Sequence, residues 1–214
     1  MTSISSMKNS ITAFAVGKCN VYTVLVCDVI IDKKLLTEEE NNRAEKFHRK
    51  VDKERYLATR CYIREILASI TGINKFNIEF EKKESGKPFL KNDENIFFSI
   101  SHTNQWIAIA VCKENECGCD IEEIDASQVS DDILSNHFHP NEIAFISKHD
   151  KAESFYYCWT RKEALFKATG KGLPDNLSQT DTTKSLQLVN REYYLIDTIK
   201  LANGHLLSIA YKIK

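Results

Sequence analysis

The sequence predicts an α+β fold. Two long helical patterns, from about Asp52 to Ile70 and from Glu153 to Thr169, each run into a glycine. Two or three strand-like runs follow each helix, so helices and strands are grouped and do not alternate as βαβ units. Hydrophobic residues make up 43% and charged residues 28% of the 214, ordinary values for a globular chain of one domain or two small ones.

Taken in order, residues 19–31 are β-branched and aromatic and predict a strand. Thr37 followed by three glutamates opens a charge-rich helix, and the helix from Asp52 stops at Thr71-Gly72. Phe76, Ile78 and Phe80 alternate with polar residues, the pattern of a half-buried strand. Lys82 to Pro88 is a basic loop. Ile96 to Ser101 and Trp106 to Cys112 predict strands around a His-Thr-Asn-Gln turn, and Cys117 to Glu122 another strand. Short helices follow at Ser130–Asn136 and Asn141–Lys148, then the long one, stopped by Gly170-Lys-Gly172-Leu-Pro174. Strands near Ser185–Leu188, Tyr193–Ile199 and His205–Ile213 complete the chain.

Lys and Arg total 29 against 30 Asp and Glu, a formal charge of −1. A chain this neutral has no global field to hold nucleic acid or an anionic membrane. Its longest strongly apolar run, Trp106 to Cys112, is seven residues, far short of the ~20 of a membrane span. Ile11 to Val16 is too short for a signal peptide. Seven scattered cysteines favour reduced thiols in a cytoplasm over a disulfide framework.

Four constellations can carry chemistry. In Gly118-Cys119-Asp120-Ile121-Glu122, a strand puts Asp120 and Glu122 on one face. Such a pair suits a hard cation such as Mg²⁺, and equally the solvated edge of a strand. In Trp159-Thr-Arg-Lys-Glu163-Ala-Leu-Phe-Lys167, Glu163 and Lys167 share a helix face beside an apolar side of Phe155, Trp159 and Phe166; they also fit an ordinary surface pair. In Phe98-Ser99-Ile100-Ser101-His102, a histidine leaves an apolar strand beside hydroxyls. It suits phosphate binding or proton transfer, or a hydrogen-bonded turn. In Lys82-Lys-Glu-Ser85-Gly86-Lys87-Pro88, amides and ammonium groups can nest an anion, or simply form a solvated hairpin loop. Arg55 lies on the helical arc of Ala58, Tyr62 and Ile66, where an ion pair or a phosphate explains it. Cys112, Cys117 and Cys119 with His137 and His139 lack the spacing of a zinc site.

The ordered set Gly86-Lys-Pro, Phe98-Ser-Ile-Ser-His102, Gly118-Cys-Asp-Ile-Glu122, Trp159-Thr-Arg-Lys-Glu163 with Lys167, and Gly170-Lys-Gly-Leu173 resembles the 4′-phosphopantetheinyl transferases of the larger, Sfp type. The resemblance runs from about Arg43 to Leu173. It implies two similar α+β halves related by a pseudo-twofold axis, residues 1–113 and 114–214, with the active site in the cleft between them. It implies transfer of phosphopantetheine from coenzyme A to a serine of an apo acyl, peptidyl or aryl carrier protein, with release of 3′,5′-ADP, by a cytoplasmic monomer. By this resemblance Asp120, Glu122 and Glu163 hold Mg²⁺, Glu163 is also the base, and Lys167 serves the leaving phosphate. Arg43, Lys87 and His102 hold the adenosine 3′-phosphate end of coenzyme A, with Lys82, Ser85, Gly86 and Ser101 close by. The sequence departs from the family at Cys119, where Ile or Val is usual, at Ser99, where Asn is common and a turn would loosen, and at Glu40, in a stretch where some relatives carry a coenzyme-binding Lys. The alternative reading is a non-catalytic module that binds a carrier protein or nucleotide on the same scaffold.

Overall fold

The computed structural model describes residues 11–174, 176–202 and 204–213. The chain begins with a hairpin, β1 (Thr12–Val16) and β2 (Cys19–Leu25). Helices α1 (Glu38–Ala44) and α2 (Lys50–Thr71) follow, then the short strands β3 (Phe80–Lys82) and β4 (Pro88–Leu90), then β5 (Ile96–His102) and β6 (Trp106–Lys113). The second half runs β7 (Cys117–Glu123), α3 (Asp131–His137), α4 (Pro140–Lys148), α5 (Lys151–Thr169), β8 (Leu186–Val189), β9 (Glu192–Lys200) and β10 (His205–Ile213). This is the α+β arrangement the grouped patterns predict.

The helix ends follow their sequence signals. Thr37 and Glu40 form a reciprocal capping box on α1, and Asp150 accepts the Glu153 amide at the start of α5. Both long helices end on a left-handed glycine, Gly72 (φ 77°) and Gly170 (φ 68°).

Two antiparallel four-stranded sheets form, ordered β1-β2-β6-β5 and β7-β10-β9-β8. The connectivity repeats. In each half a strand leads into helices, and a later hairpin returns to lay its last strand against the first: β6 on β2, β10 on β7. Helix α2 covers one sheet through Leu57, Ile63 and Leu67 packed with Phe98, Ile107 and Ile109. Helix α5 covers the other through Ala164, Leu165 and Ala168 packed with Tyr194, Ile196 and Ala210. The inner faces of the two sheets share a core of Val21, Ala108 and Ala110 with Cys119, Ile121, Leu207 and Ile209. The order is therefore helix, sheet, sheet, helix, and the edge strands β5 and β7 run side by side across the seam.

Four expectations need correction. The strand expected over 19–31 stops at Leu25, because its partner β6 begins opposite at Trp106. The chain then turns through Val26–Asp28. Residues 12–16, read only as too short for a leader, form β1. Phe76 and Ile78 do not belong to a strand: Asn74 accepts the Phe76 amide at 3.0 Å and starts a 3₁₀ turn over Lys75–Asn77, leaving only Phe80–Lys82 extended. The thiols are not all reduced. Cys19 and Cys112 face each other on β2 and β6, their Cα atoms 4.4 Å apart, and are joined by a disulfide. Cys27, Cys61, Cys117, Cys119 and Cys158 are free.

Candidate active site

Strand β7 alternates its faces. Cys117, Cys119 and Ile121 enter the inter-sheet core, while Gly118, Asp120 and Glu122 face α5. Gly118 sets the approach: a Cβ there would lie 2.0 Å from the Ala164 carbonyl oxygen, so only glycine lets α5 lie flush on the strand. That contact brings Glu163 and Lys167, one helical turn apart, over the two β7 carboxylates.

Lys167 donates to Asp120 Oδ1 at 2.6 Å and to Ser101 Oγ at 3.2 Å. The Ser101 hydroxyl donates to the same Asp120 oxygen at 2.8 Å. Asp120 is 3% exposed, and its other oxygen, Oδ2, is buried without a hydrogen-bond partner. Three carboxylates here face one ammonium. Burial, the Asp120 charge and the Glu163 charge push Glu122 up to about 7, against the pull of Lys167. Burial and Asp120 likewise raise Glu163. For Lys167, burial works to lower the pKa, but Asp120 outweighs it and the ammonium is held above its ordinary value.

An orphaned buried oxygen and an excess of like charge are what a hard divalent cation relieves. Asp120, Glu122 and Glu163 supply oxygen donors of the right chemistry for Mg²⁺. They do not form a closed cage. Among the described residues, the one set of three Cys, His, Asp or Glu ligand atoms within 4.8 Å of one another is Cys19, Cys112 and Cys117. Two of those sulfurs are bonded to each other, and neither His137 nor His139 belongs to the set.

Beside the carboxylates lies a cleft of about 330 Å³ between the β3–β4 turn, β5 and the end of α5. Glu163, Lys167, Ser85 and Lys87 line it, together with Phe98, Ile100 and Phe166, and Gly170, Gly172 and Leu173. The β3–β4 loop is a hairpin turn closed by Lys83 N–H to Lys87 O at 2.9 Å, with Gly86 at φ 85°. Lys82, Ser85 and Gly86 are exposed on it. His102 ends β5 one residue beyond Ser101. Its side chain is exposed, yet partial loss of surrounding water and then the nearby Arg55 charge lower its pKa. Arg43 is exposed at the end of α1, its guanidinium 5.4 Å from the Tyr56 ring centroid. Arg43, His102, Lys82 and Gly86 do not line this cleft.

Lys87 is engaged within the protein. Its ammonium donates to Glu116 Oε2 (2.9 Å), Cys117 O (2.9 Å) and Ala168 O (3.3 Å). Arg55 pairs with Asp52 at 2.7 Å and reaches Thr103 O, so the ion-pair reading describes it. Glu40 is buried with Arg60 and Arg64 and holds a helix in place. Ser99 lies within β5, not in a turn, and its Oγ accepts the Cys119 amide at 3.0 Å. Cys119 is fully buried, as an apolar replacement should be. Sequence reasoning missed Glu116, the clasp on Lys87, for which no signal existed. It also missed the joint role of Ser99 and Ser101, which the two-residue strand period could have revealed.

Comparison with known proteins agrees with this arrangement. Residues 10–114 match the family 4′-phosphopantetheinyl transferase, N-terminal, and residues 116–209 match the 4′-phosphopantetheinyl transferase superfamily. The 4′-phosphopantetheinyl transferase gsp of Aneurinibacillus migulanus is 37% identical over 125 residues, 57% of this chain and 51% of its own length. The 4′-phosphopantetheinyl transferase ffp of Bacillus subtilis is 31% identical over 141 residues, 64% of this chain and 62% of its own. The 4′-phosphopantetheinyl transferase HetI of a Nostoc species is 28% identical over 144 residues, 64% of this chain and 61% of its own. The chain thus spans between half and two thirds of the length of these relatives. With two family matches that meet near residue 115 and together cover nearly all of it, the chain belongs to the 4′-phosphopantetheinyl transferase superfamily.

Proposed function

We propose that the protein transfers the 4′-phosphopantetheine group of coenzyme A to a serine of an apo carrier protein, with Mg²⁺. The observation that carries this reading is Asp120 Oδ2, buried and unpartnered among three carboxylates beside the cleft. Mg²⁺ held there by Asp120, Glu122 and Glu163 would supply positive charge against the pyrophosphate.

The chain's own groups do the rest. The carrier serine oxygen forms a bond to the coenzyme's reacting phosphorus, and the bond from that phosphorus to the leaving phosphate breaks, releasing 3′,5′-ADP. Glu163, which lines the cleft beside Lys167, takes the serine proton. Lys167, held protonated, offers its charge to the leaving phosphate. Arg43 and His102, with Lys82, Ser85 and Gly86, are assigned to the coenzyme's 3′-phosphate and adenine end. The halves are taken as residues 1–113 and 114–214, and the cytoplasm as the compartment. The presence of all three carboxylates and Lys167 favours an enzyme over a non-catalytic binding module.

The test is incubation with coenzyme A and a panel of apo carrier proteins, reading 3′,5′-ADP and the mass of the carrier. Transfer that stops in EDTA and returns with Mg²⁺ is expected. Transfer undiminished by chelator removes Mg²⁺ from the reading, and no transfer to any carrier removes the activity.

A further inference from the structure

Three sulfurs meet between the two sheets, apart from the cleft. Cys19 on β2 and Cys112 on β6 are cross-strand partners in the first sheet, and Cys117 opens β7 in the second. Their Sγ atoms all lie within 4.8 Å of one another. The three residues are buried, at 0%, 1% and 0% exposed. Cys19 and Cys112 share a disulfide, while Cys117 keeps a free thiol.

A dithiol reductant gives the Cys19–Cys112 bond two electrons and two protons and itself becomes a disulfide. Two thiols are left beside a third. Thiolate sulfur is a soft donor and selects soft cations such as Cu(I). Metal–sulfur bonds of ~2.3 Å set three sulfurs in a plane around one ion ~4 Å apart, within the span of this set. The surroundings offer no fourth ligand. Val21, Ala108 and Ala110 pack about the sulfurs, and Cys119 lies outside the set, its thiol donating to Ser99 O at 3.3 Å. Structural zinc takes four protein ligands and catalytic zinc adds water, which this core excludes. Cu(I) is satisfied by two or three thiolates. We propose that the reduced protein holds one Cu(I) ion on Cys19, Cys112 and Cys117. Each thiol that binds gives up its proton to solvent. Burial pushes the Cys117 thiol up to about 12, so its proton leaves only as the cation arrives. The Lys87 ammonium, 2.9 Å from the Cys117 carbonyl oxygen, offsets part of the negative charge that remains. The ion would pin β2 and β6 of one sheet to β7 of the other, and the disulfide closes the site to it.

The test reads metal, not transfer, and so stands whether or not the transferase reading does. Cys27→Ser removes the exposed thiol and serves as the background. This protein, reduced with a phosphine and freed of it under argon, is titrated with Cu(I) against a chromogenic copper chelator. One Cu(I) per chain is expected, with a thiolate-to-copper absorption band and a raised melting temperature. Adding Cys117→Ser should weaken binding by more than the about 100-fold that loss of an outer partner costs. Cys19→Ala, which removes a ligand from the other sheet, should do the same, and it decides the matter should Cys117→Ser not fold. Cys119→Ala should bind as the background does. The oxidised protein should bind none. No retained Cu(I), equal affinity without Cys117 or Cys19, or equal binding by the oxidised protein overturns the site. Zn²⁺ that displaces Cu(I) from the reduced protein overturns the choice of cation.

Discussion

Asp120 divides its two oxygens between two tasks. Oδ1 takes the Lys167 ammonium and the Ser101 hydroxyl, while Oδ2 is left buried and unpartnered. A buried orphan oxygen costs stability in the free protein, a cost that a bound ion would remove. Glu163 stands opposite with two assigned tasks, cation ligand and base. Glu163→Gln keeps its size and one carbonyl oxygen but cannot take a proton. We expect a kcat loss of about 10²- to 10⁴-fold, the usual size of a general-base contribution, that excess Mg²⁺ does not recover. The measurement is kcat against Mg²⁺ concentration; recovery to the unmodified value at high Mg²⁺ would make Glu163 a ligand only.

At the scale of elements, the helices are held by buried charge as well as by apolar faces. Glu40 caps α1 through Thr37 and pairs with Arg60 and with Arg64, the latter at 3.0 Å on a side chain 2% exposed. Arg60 and Arg64 then lie over the Phe80 ring at 4.3 and 4.9 Å, tying α2 to β3. Glu40→Ala leaves a buried guanidinium without its carboxylate and should cost about 3 to 5 kcal/mol, read from denaturant unfolding. Burial alone would raise the Glu40 pKa. Arg60, the Thr37 amide and Arg64 outweigh it and hold the carboxyl below its usual 4.5. A carboxyl depressed by folding stabilises above its unfolded value and loses that contribution as pH falls through the folded one. Between pH 6 and 3 the melting temperature should therefore fall more steeply for the unmodified protein than for Glu40→Gln. Parallel curves would show that Glu40 adds no pH-linked stability.

Across the whole molecule, two halves of like topology are joined by an inter-sheet core, by the hydrogen bonds that Ser99 and Ser101 make to β7 and by Lys87. Lys87 leaves the first half's hairpin turn and binds Glu116, Cys117 and Ala168 of the second, with its side chain 12% exposed. It thereby ties the hairpin turn, which forms one wall of the cleft, to the end of α5. Lys87→Ala should lower stability by about 1.5 to 3 kcal/mol, as for hydrogen bonds to a charged group. Melting temperature and KM for coenzyme A on the same variant decide between tether and ligand. An unchanged melting temperature with a raised KM would return Lys87 to the coenzyme.

The sequence by itself determined the α+β class, the helix ends and the residue types of the site. Each follows from local rules: a capping box before α1, glycines after α2 and α5, and a two-residue strand period that puts Asp120 and Glu122 on one face. Only the tertiary structure decided which groups meet. The length of β2 depends on where its partner strand lies, and the Cys19–Cys112 bond joins residues 93 apart that share a register. The bonds of Ser101 and Lys87 depend on acceptors contributed by the opposite half. A motif fixes chemistry along one element. Whether a side chain serves a ligand or the seam is set by burial and hydrogen bonds between elements distant in the chain, which no local spacing encodes.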